Sequence, residues 1–388
     1  MSAIQKKIFW INFFIVFFLA LNLRAPITAI GPMIENIQNA YNLNSTFAGL
    51  LTTLPLIAFG SISFFVGFFN ATKALLFAIL LIIAGEVLRS YSGIVGLFFG
   101  MLILGCGIAI ANVLLPSFIK HSFPKKTAFM MGIYSLCLNI SSVLGIALAL
   151  PLLEILALNE AMIFWILFAL AALFVYLPQI KNGRIKRHQK NKKTASFLIT
   201  QATTWKITLF IGLQSFIAYA LFSWYVQFIV EKGFTKESAA HIVLVSQLCA
   251  VPVSLLAPLL LDTIRKELHT FYIGALCVMY IIGFYILYTC NSYTMLLLGA
   301  LVLGCPWGGV FGIALLFIAQ KSANVKIAAK LSAFSQGFGY LIAALAPLLI
   351  GFLHDTYKNF KSILLLLLVV AILVNIFAYL AYKSTTIE

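Results

Sequence analysis

"IKNGRIKRHQKNKKTASF", residues 180–197, is the longest polar stretch in a chain of 388 residues, and it falls near the middle. It carries Lys181, Arg184, Lys186, Arg187, Lys190, Lys192 and Lys193. The chain on both sides is far more apolar than a water-soluble domain. Hydrophobic residues make up 63% and charged residues 9%, where soluble domains have about 45–50% and about 25%. Too little polar surface remains to coat a soluble core. A basic run can bind nucleic acid, but here the charges separate apolar runs and no basic face carries interleaved aromatics. The stretch therefore reads as a solvated loop, and no nucleic-acid partner is expected.

Six apolar runs precede this loop and six follow it. They fall at about 8–36, 44–69, 74–92, 94–119, 127–153, 161–179, 205–230, 237–261, 268–289, 293–319, 327–353 and 361–382. Each is long enough to cross a bilayer as a tilted helix. The expectation is an all-α membrane protein with twelve transmembrane helices. Residues 1–180 form one six-helix half, 181–204 a cytoplasmic basic linker, and 205–388 the second half. Lys6 and Lys7 before "IFWINFFIVFFLALNL" (8–23) have the look of a signal peptide. No clean cleavage site follows, so the run reads as a retained first span.

Two short repeats support duplication of the six-helix unit. Leu104-Gly105-Cys106 returns as Leu303-Gly304-Cys305, and Pro151-Leu152-Leu153 returns as Pro347-Leu348-Leu349. Two parallel six-helix halves with a site near mid-bilayer are a known transporter plan. The two pseudo-symmetric halves are thus expected to rock about a central cavity. With a cytoplasmic N-terminus, 20 of the 26 Lys and Arg fall in inside segments and 5 in outside ones, Arg24 being the remainder. Basic residues in short loops set topology, so both termini are expected in the cytoplasm of a multi-pass inner-membrane protein.

Arg24 sits inside the first span, in "ALNLRAPITAIGPM" (20–33). It lies beyond snorkelling reach of either end, and burying it costs about 2.5–3.5 kcal/mol on insertion scales. Of the 10 carboxylates only Glu86 is within a span, with Arg89 at i+3 as a local mate. That pair is read as a coupling or structural ion pair, and Arg24 as a substrate-facing cation against the alternative of a structural salt bridge. Pro26 and Pro32, and Pro116 on the fourth span, are read as kinks or gates that free backbone carbonyls.

Other polar or aromatic residues within spans are Asn112, Tyr134, Gln214, Trp224, Trp307, Gln336 and Tyr340. Polar side chains are costly in lipid and should face the interior, so these join Arg24 as candidate substrate-binding residues. The bland alternatives are interhelical hydrogen bonds and packing. The six cysteines show no metal spacing and read as small hydrophobes. No P-loop, metal cluster or nucleophile constellation occurs, so no cofactor, metal or enzymatic activity is expected.

Five stretches carry a resemblance. They are "LNLRAPITAIGP" (21–32), "GLLTTLP" (49–55), "EVLRSY" (86–91), "IANVLLPSFIKHSFP" (110–124) and "AAKLSAFSQGFGYLIAALAPLLIGFLHD" (328–355). With these the chain resembles the major facilitator superfamily over nearly its whole length, and within it the cyanate and 2-nitroimidazole transporter family. Departures occur too. Ala25 intervenes between Arg24 and Pro26, the family's span-seven Trp-Leu-Pro is Trp224-Tyr225-Val226 here, and the acidic loop between spans two and three is reduced to "NATK" (70–73).

The resemblance implies alternating-access transport of a small anion or small polar heterocycle, with Arg24 matching the family's span-one arginine. The expected partners are a small-molecule substrate, a coupled proton or ion, and the bilayer; the expected state is a monomer. Rival readings are proton-coupled efflux of drugs or other organic compounds, and uptake of amino acids. Glu86 is the sole coupling carboxylate for the first, and no anion is evident for the substrate ammonium in the second.

Overall fold

A computed structural model describes residues 3–63, 71–123, 127–182, 195–323 and 325–387. The basic residues Arg184 to Lys193 of the linker lie outside the described residues. In chain order the helices are α1 (Ala3–Asn22), α2 (Ala25–Thr28), α3 (Ile30–Tyr41), α4 (Ser45–Ser63), α5 (Ala71–Tyr91), α6 (Gly93–Ser122), α7 (Thr127–Ile155), α8 (Leu158–Ile163) and α9 (Ile166–Asn182). Then come α10 (Ala195–Thr200), α11 (Ala202–Val230), α12 (Lys236–Thr263), α13 (Lys266–Thr289), α14 (Tyr293–Gln320), α15 (Val325–Tyr357) and α16 (Lys361–Lys383).

Twelve spans among the described residues are long and apolar enough to cross a membrane. Large apolar side chains such as Phe99, Phe174, Phe271 and Leu345 are exposed on the helices. A soluble protein rarely shows that much contiguous apolar surface, and a bilayer supplies its solvent.

Three boundaries differ from the hydropathy reading. The first span is three helices, broken at Leu23–Arg24 and again at Ala29. The sixth begins at Leu158 and is interrupted at Phe164–Trp165. Within the expected linker, Ala195–Thr200 is helical, and its Leu198 is buried.

The chain forms two compact units. Unit 1 comprises residues 1–42 and 54–190; unit 2 comprises 43–53 and 191–388. In unit 1, α5 packs on α6 and α9, and α7 packs on α1, α2 and α3. In unit 2, α11 is central and touches α12, α14, α15 and α16. Its Phe210, Trp224, Tyr225 and Phe228 are fully buried. The C-terminal tail is tied back within the same unit: Lys321 Nζ donates to the carbonyls of Tyr382 and Ser384, both at 2.6 Å.

The repeated Leu-Gly-Cys has a physical basis. A Cβ on Gly105 of α6 would lie 2.4 Å from Pro55 Cα on α4. A Cβ on Gly304 of α14 would lie 2.4 Å from the Ser246 carbonyl oxygen on α12. Each glycine lets the fourth helix of its half approach the second to backbone contact, as small residues do in membrane bundles.

The first half of α4 packs inside unit 2, and its anchor is the carboxylate of Asp355 on α15. Asp355 accepts the backbone N–H groups of Ser45 (3.0 Å) and Thr46 (2.7 Å) and the Thr46 hydroxyl. These amides belong to the first turn of α4, where no intrahelical acceptor exists and the helix dipole favours an anion. Further along, Thr53 Oγ1 donates to the Ala344 carbonyl at 3.0 Å, and Ser223 Oγ donates to Thr52 Oγ1 at 2.9 Å.

Candidate functional site

The break in the first span is where the sequence placed its in-span cation. Arg24 has φ −129° and ψ −49°, outside the helical region, and is half-buried. Pro26 stands in the first turn of α2, where its missing N–H costs nothing and its φ suits a helix start. In an unbroken helix the Ala25 N–H would donate to the Leu21 carbonyl four residues back. Here Ser141 of α7 is inserted between them. Its hydroxyl oxygen accepts the Ala25 N–H at 2.7 Å, and its hydroxyl hydrogen is donated to the Leu21 carbonyl. The Arg24 carbonyl then restarts the helix by accepting the N–H groups of Ile27 (3.0 Å) and Thr28 (2.9 Å).

The same turn of α7 grips α2 elsewhere. Thr28 Oγ1 lies 3.3 Å from the Ser142 carbonyl and 3.2 Å from the Arg24 carbonyl, and its one proton is shared between them. A Cβ on Gly145 would lie 2.1 Å from Thr28 Oγ1 and 2.8 Å from the Ala25 carbonyl oxygen, so only glycine admits this contact. Ser141 is fully buried and Ser142 nearly so. Side chains inserted into the i to i−4 ladder are a recognised cause of helix breaks.

Arg89, the expected mate of Glu86, stands in the last turn of α5. It is buried in unit 1, and its guanidinium donates to the carbonyls of Pro26 and Met162, each at 2.7 Å. It therefore holds α2 from a second side. Glu86 is fully buried one turn earlier on α5, and among the described residues neither of its carboxylate oxygens accepts a hydrogen bond.

Among the remaining candidates of unit 1, Tyr134 of α7 donates its hydroxyl to Asn112 Oδ1 of α6 at 3.0 Å. Pro32 is buried in the first turn of α3. The side chain of Pro116 lies outside the described residues.

In unit 2 the structure brings Trp307 and Tyr340 into one aromatic cluster. Trp307 of α14 lies 4.9 Å from the ring of Phe222, which lies 5.7 Å from Tyr219, which meets Tyr340 of α15 at 6.4 Å. Gln336, one turn before Tyr340 on α15, is half-buried and donates to Ser332 Oγ at 2.7 Å. Gln214 is buried on α11 and accepts from Ser215 Oγ at 3.3 Å. Trp224 does not join the cluster. Its ring is buried beside Phe360, 6.0 Å away, and its indole N–H is donated to the Pro347 carbonyl at 3.0 Å.

The sequence reading missed Ser141 and Phe222. The one signal for the former was the polar pair in "NISSVLG" (139–145) within an apolar span. For the latter there was none, since phenylalanine is common throughout the chain. Among the described residues no three His, Cys, Asp or Glu side chains gather to hold a metal ion.

Comparison with known proteins gives this arrangement its family. The model described as Major Facilitator Superfamily matches residues 12–347. The chain belongs to the major facilitator superfamily. Relatives in this superfamily include the uncharacterized transporter YycB of Bacillus subtilis, 33% identical over 96% of this chain and 93% of its own length. The 2-nitroimidazole transporter of Escherichia coli is 31% identical over 96% of this chain and 95% of its own length. The cyanate transport protein CynX of Escherichia coli is 27% identical over 88% and 89%. Both resemblances read from the motifs are therefore borne out.

Among solved structures, a bacterial homolog of the human lysosomal transporter Spinster superposes with a TM-score of 0.77 at 15% identity, covering 99% of this chain and 98% of that one. A D-xylose–proton symporter gives 0.76 at 12%, covering 95% and 97%. The superfamily and the fold are those of membrane transporters, not of enzymes. A multi-pass bacterial membrane transporter for a small molecule follows.

Proposed function

We propose that this chain is a secondary transporter for a small anion or small polar heterocycle, cyanate- or nitroimidazole-like, and that Arg24 holds the electron-rich part of the substrate. The observation that carries the reading is the break of the first span at Arg24, within an apolar run. Non-helical backbone at membrane depth persists only where protein buries it or a watery cavity borders it. A charge placed at such a break serves recognition. The guanidinium offers a planar fork of donors that suits a nitro group or a small linear anion. In unit 2, the aromatic rings around Trp307 and Tyr340 offer apolar faces to a flat ring, and Gln336 a polar contact. Gln214, Asn112 and Tyr134 shape their surroundings through hydrogen bonds. The chain works as a monomer, and transport proceeds by alternating access across the inner membrane. Both termini lie in the cytoplasm, as the basic-residue bias supports. The names of the two Escherichia coli relatives support the substrate class.

The test is a thermal-shift screen of purified protein with cyanate, 2-nitroimidazole, amino acids and hydrophobic cations, run beside Arg24→Ala. A ligand at 100 times its Kd stabilises the native state by about 2.7 kcal/mol. Cyanate or 2-nitroimidazole should raise the melting point of the native protein and not of the variant. Equal stabilisation of both by hydrophobic cations would replace this reading with drug efflux.

A further inference from the structure

The break at Arg24 is a built feature. Two hydrogen bonds of one buried hydroxyl hold it open beside the kink that Pro26 imposes, and proline leaves the Ala25–Leu21 rung itself free to close. Ser141 Oγ takes the Ala25 N–H at 2.7 Å and gives its own proton to the Leu21 carbonyl, so a single side chain occupies one rung of the helix ladder. The residues on either side of that rung bracket Leu23 and Arg24. Remove the hydroxyl and two outcomes are open to the backbone. The Ala25 amide and Leu21 carbonyl stay apart, buried and unsatisfied, or they close on each other as in an ordinary helix. The second is favoured, because an unmade buried hydrogen bond costs about 1–3 kcal/mol for each group left bare. Closure draws the backbone at Arg24 from φ −129° toward the helical value of about −63°. Such a rotation about N–Cα swings the arginine to a new direction.

We infer that Ser141 is the positioning residue for Arg24: inserted into the Leu21–Ala25 rung, it holds the first span open and thereby aims the guanidinium. The role rests on the reading of Arg24 as the substrate cation, but the aiming itself does not. The hydrogen bonds of Ser141 go to backbone, so it acts through the helix and not through the substrate. Two neighbours brace the same segment by other means. Gly145 admits α2 to α7 by having no side chain, and Arg89 takes the Pro26 carbonyl from the opposite element. Neither completes the broken rung.

The test reads the direction of position 24 without any ligand. In full-length protein in proteoliposomes, Arg24→Cys is labelled with a water-soluble methanethiosulfonate, which forms a mixed disulfide and releases methanesulfinate, and the rate is followed on the peptide carrying residue 24 by mass spectrometry under non-reducing conditions. The same rate is measured with Ser141→Ala added, and with Ser142→Ala added as a control that deletes a buried hydroxyl on the same turn. The expected result is at least a tenfold change in rate with Ser141→Ala and less than a twofold change with Ser142→Ala. Equal rates in all three overturn the inference, as does an equal change with both serine variants. If Ser141→Ala is not recovered from the membrane, Ser141→Gly deletes the same hydroxyl and is judged by the same outcomes.

A second arm uses uptake of 2-nitroimidazole by the otherwise native chain. Ser141→Ala should raise KM about tenfold with the maximal rate within twofold, whereas a generally unstable protein loses maximal rate. Loss of uptake in Arg24→Ala together with native KM in Ser141→Ala sinks the inference alone. Full uptake in Arg24→Ala sinks the reading of Arg24 as the substrate cation, while the labelling rates still decide the role of Ser141.

Discussion

Removing the Asp355 carboxylate should free the start of α4, and the size of the effect can be worked from the contacts. The carboxylate accepts two backbone amides, Ser45 at 3.0 Å and Thr46 at 2.7 Å, and the Thr46 hydroxyl. Hydrogen bonds to a charged group contribute about 1.5–3 kcal/mol each when buried. Asp355 is only half-buried, so water replaces part of what is lost. The net effect then lies near the top of the range for helix N-caps, about 2 kcal/mol. At about 1.4 kcal/mol per tenfold, that is roughly a 30-fold rise in local opening. Hydrogen–deuterium exchange read on a peptide spanning residues 44–53 measures it directly. Asp355→Ala should accelerate exchange at Ser45 and Thr46 by that factor. Asp355→Asn should fall between, since it keeps one acceptor oxygen and loses the charge. Exchange within threefold of native in Asp355→Ala would refute the reasoning. So would equal acceleration in α13, which would mark general destabilisation instead of a lost cap.

Four further outcomes follow from the same contacts. Gly145→Ala should destabilise by about 1–3 kcal/mol through overpacking against Thr28 and Ala25; thermal melts of a cycle with Thr28→Ala should show coupling of at least about 0.5 kcal/mol. Arg89→Met should cost about 3–5 kcal/mol by baring two carbonyls and leaving Glu86 uncompensated. Adding Glu86→Gln should recover part of that loss, read as the yield of monodisperse protein. Trp224→Phe should lower stability by about 1 kcal/mol, the worth of one hydrogen bond, while 2-nitroimidazole uptake keeps its KM within twofold. Arg24→Lys should bind 2-nitroimidazole more weakly than native by at least about tenfold, because an ammonium lacks the planar fork, and titration by thermal shift measures it.

Hydropathy and charge are properties of a segment, and they carried the architecture. A run of some twenty apolar residues is by default a helix in a bilayer, because there each backbone group needs a partner and a helix supplies nearly all of them within its own segment. Twelve spans were legible for that reason, as was Arg24, whose charge is conspicuous in an apolar run. Glu86 stood out likewise, as did the Leu-Gly-Cys repeat. What no window of sequence discloses is which groups meet across the fold. Hydropathy treats "ALNLRAPITAIGPM" as one span, since proline and glycine barely lower its average. Beside the rupture at Leu23–Arg24, the Ala25 amide goes to a serine 116 residues further along the chain. Trp224 read as a candidate substrate-binding residue, and nothing in the sequence near it shows that its N–H goes to Pro347, 123 residues away. Arg89 read only as the local mate of Glu86, and two carbonyls of other helices hold its guanidinium as well. Burial against water is set residue by residue and averages along the chain. A hydrogen bond is set by tenths of an ångström between segments distant in sequence, and only the packed helices bring those atoms together.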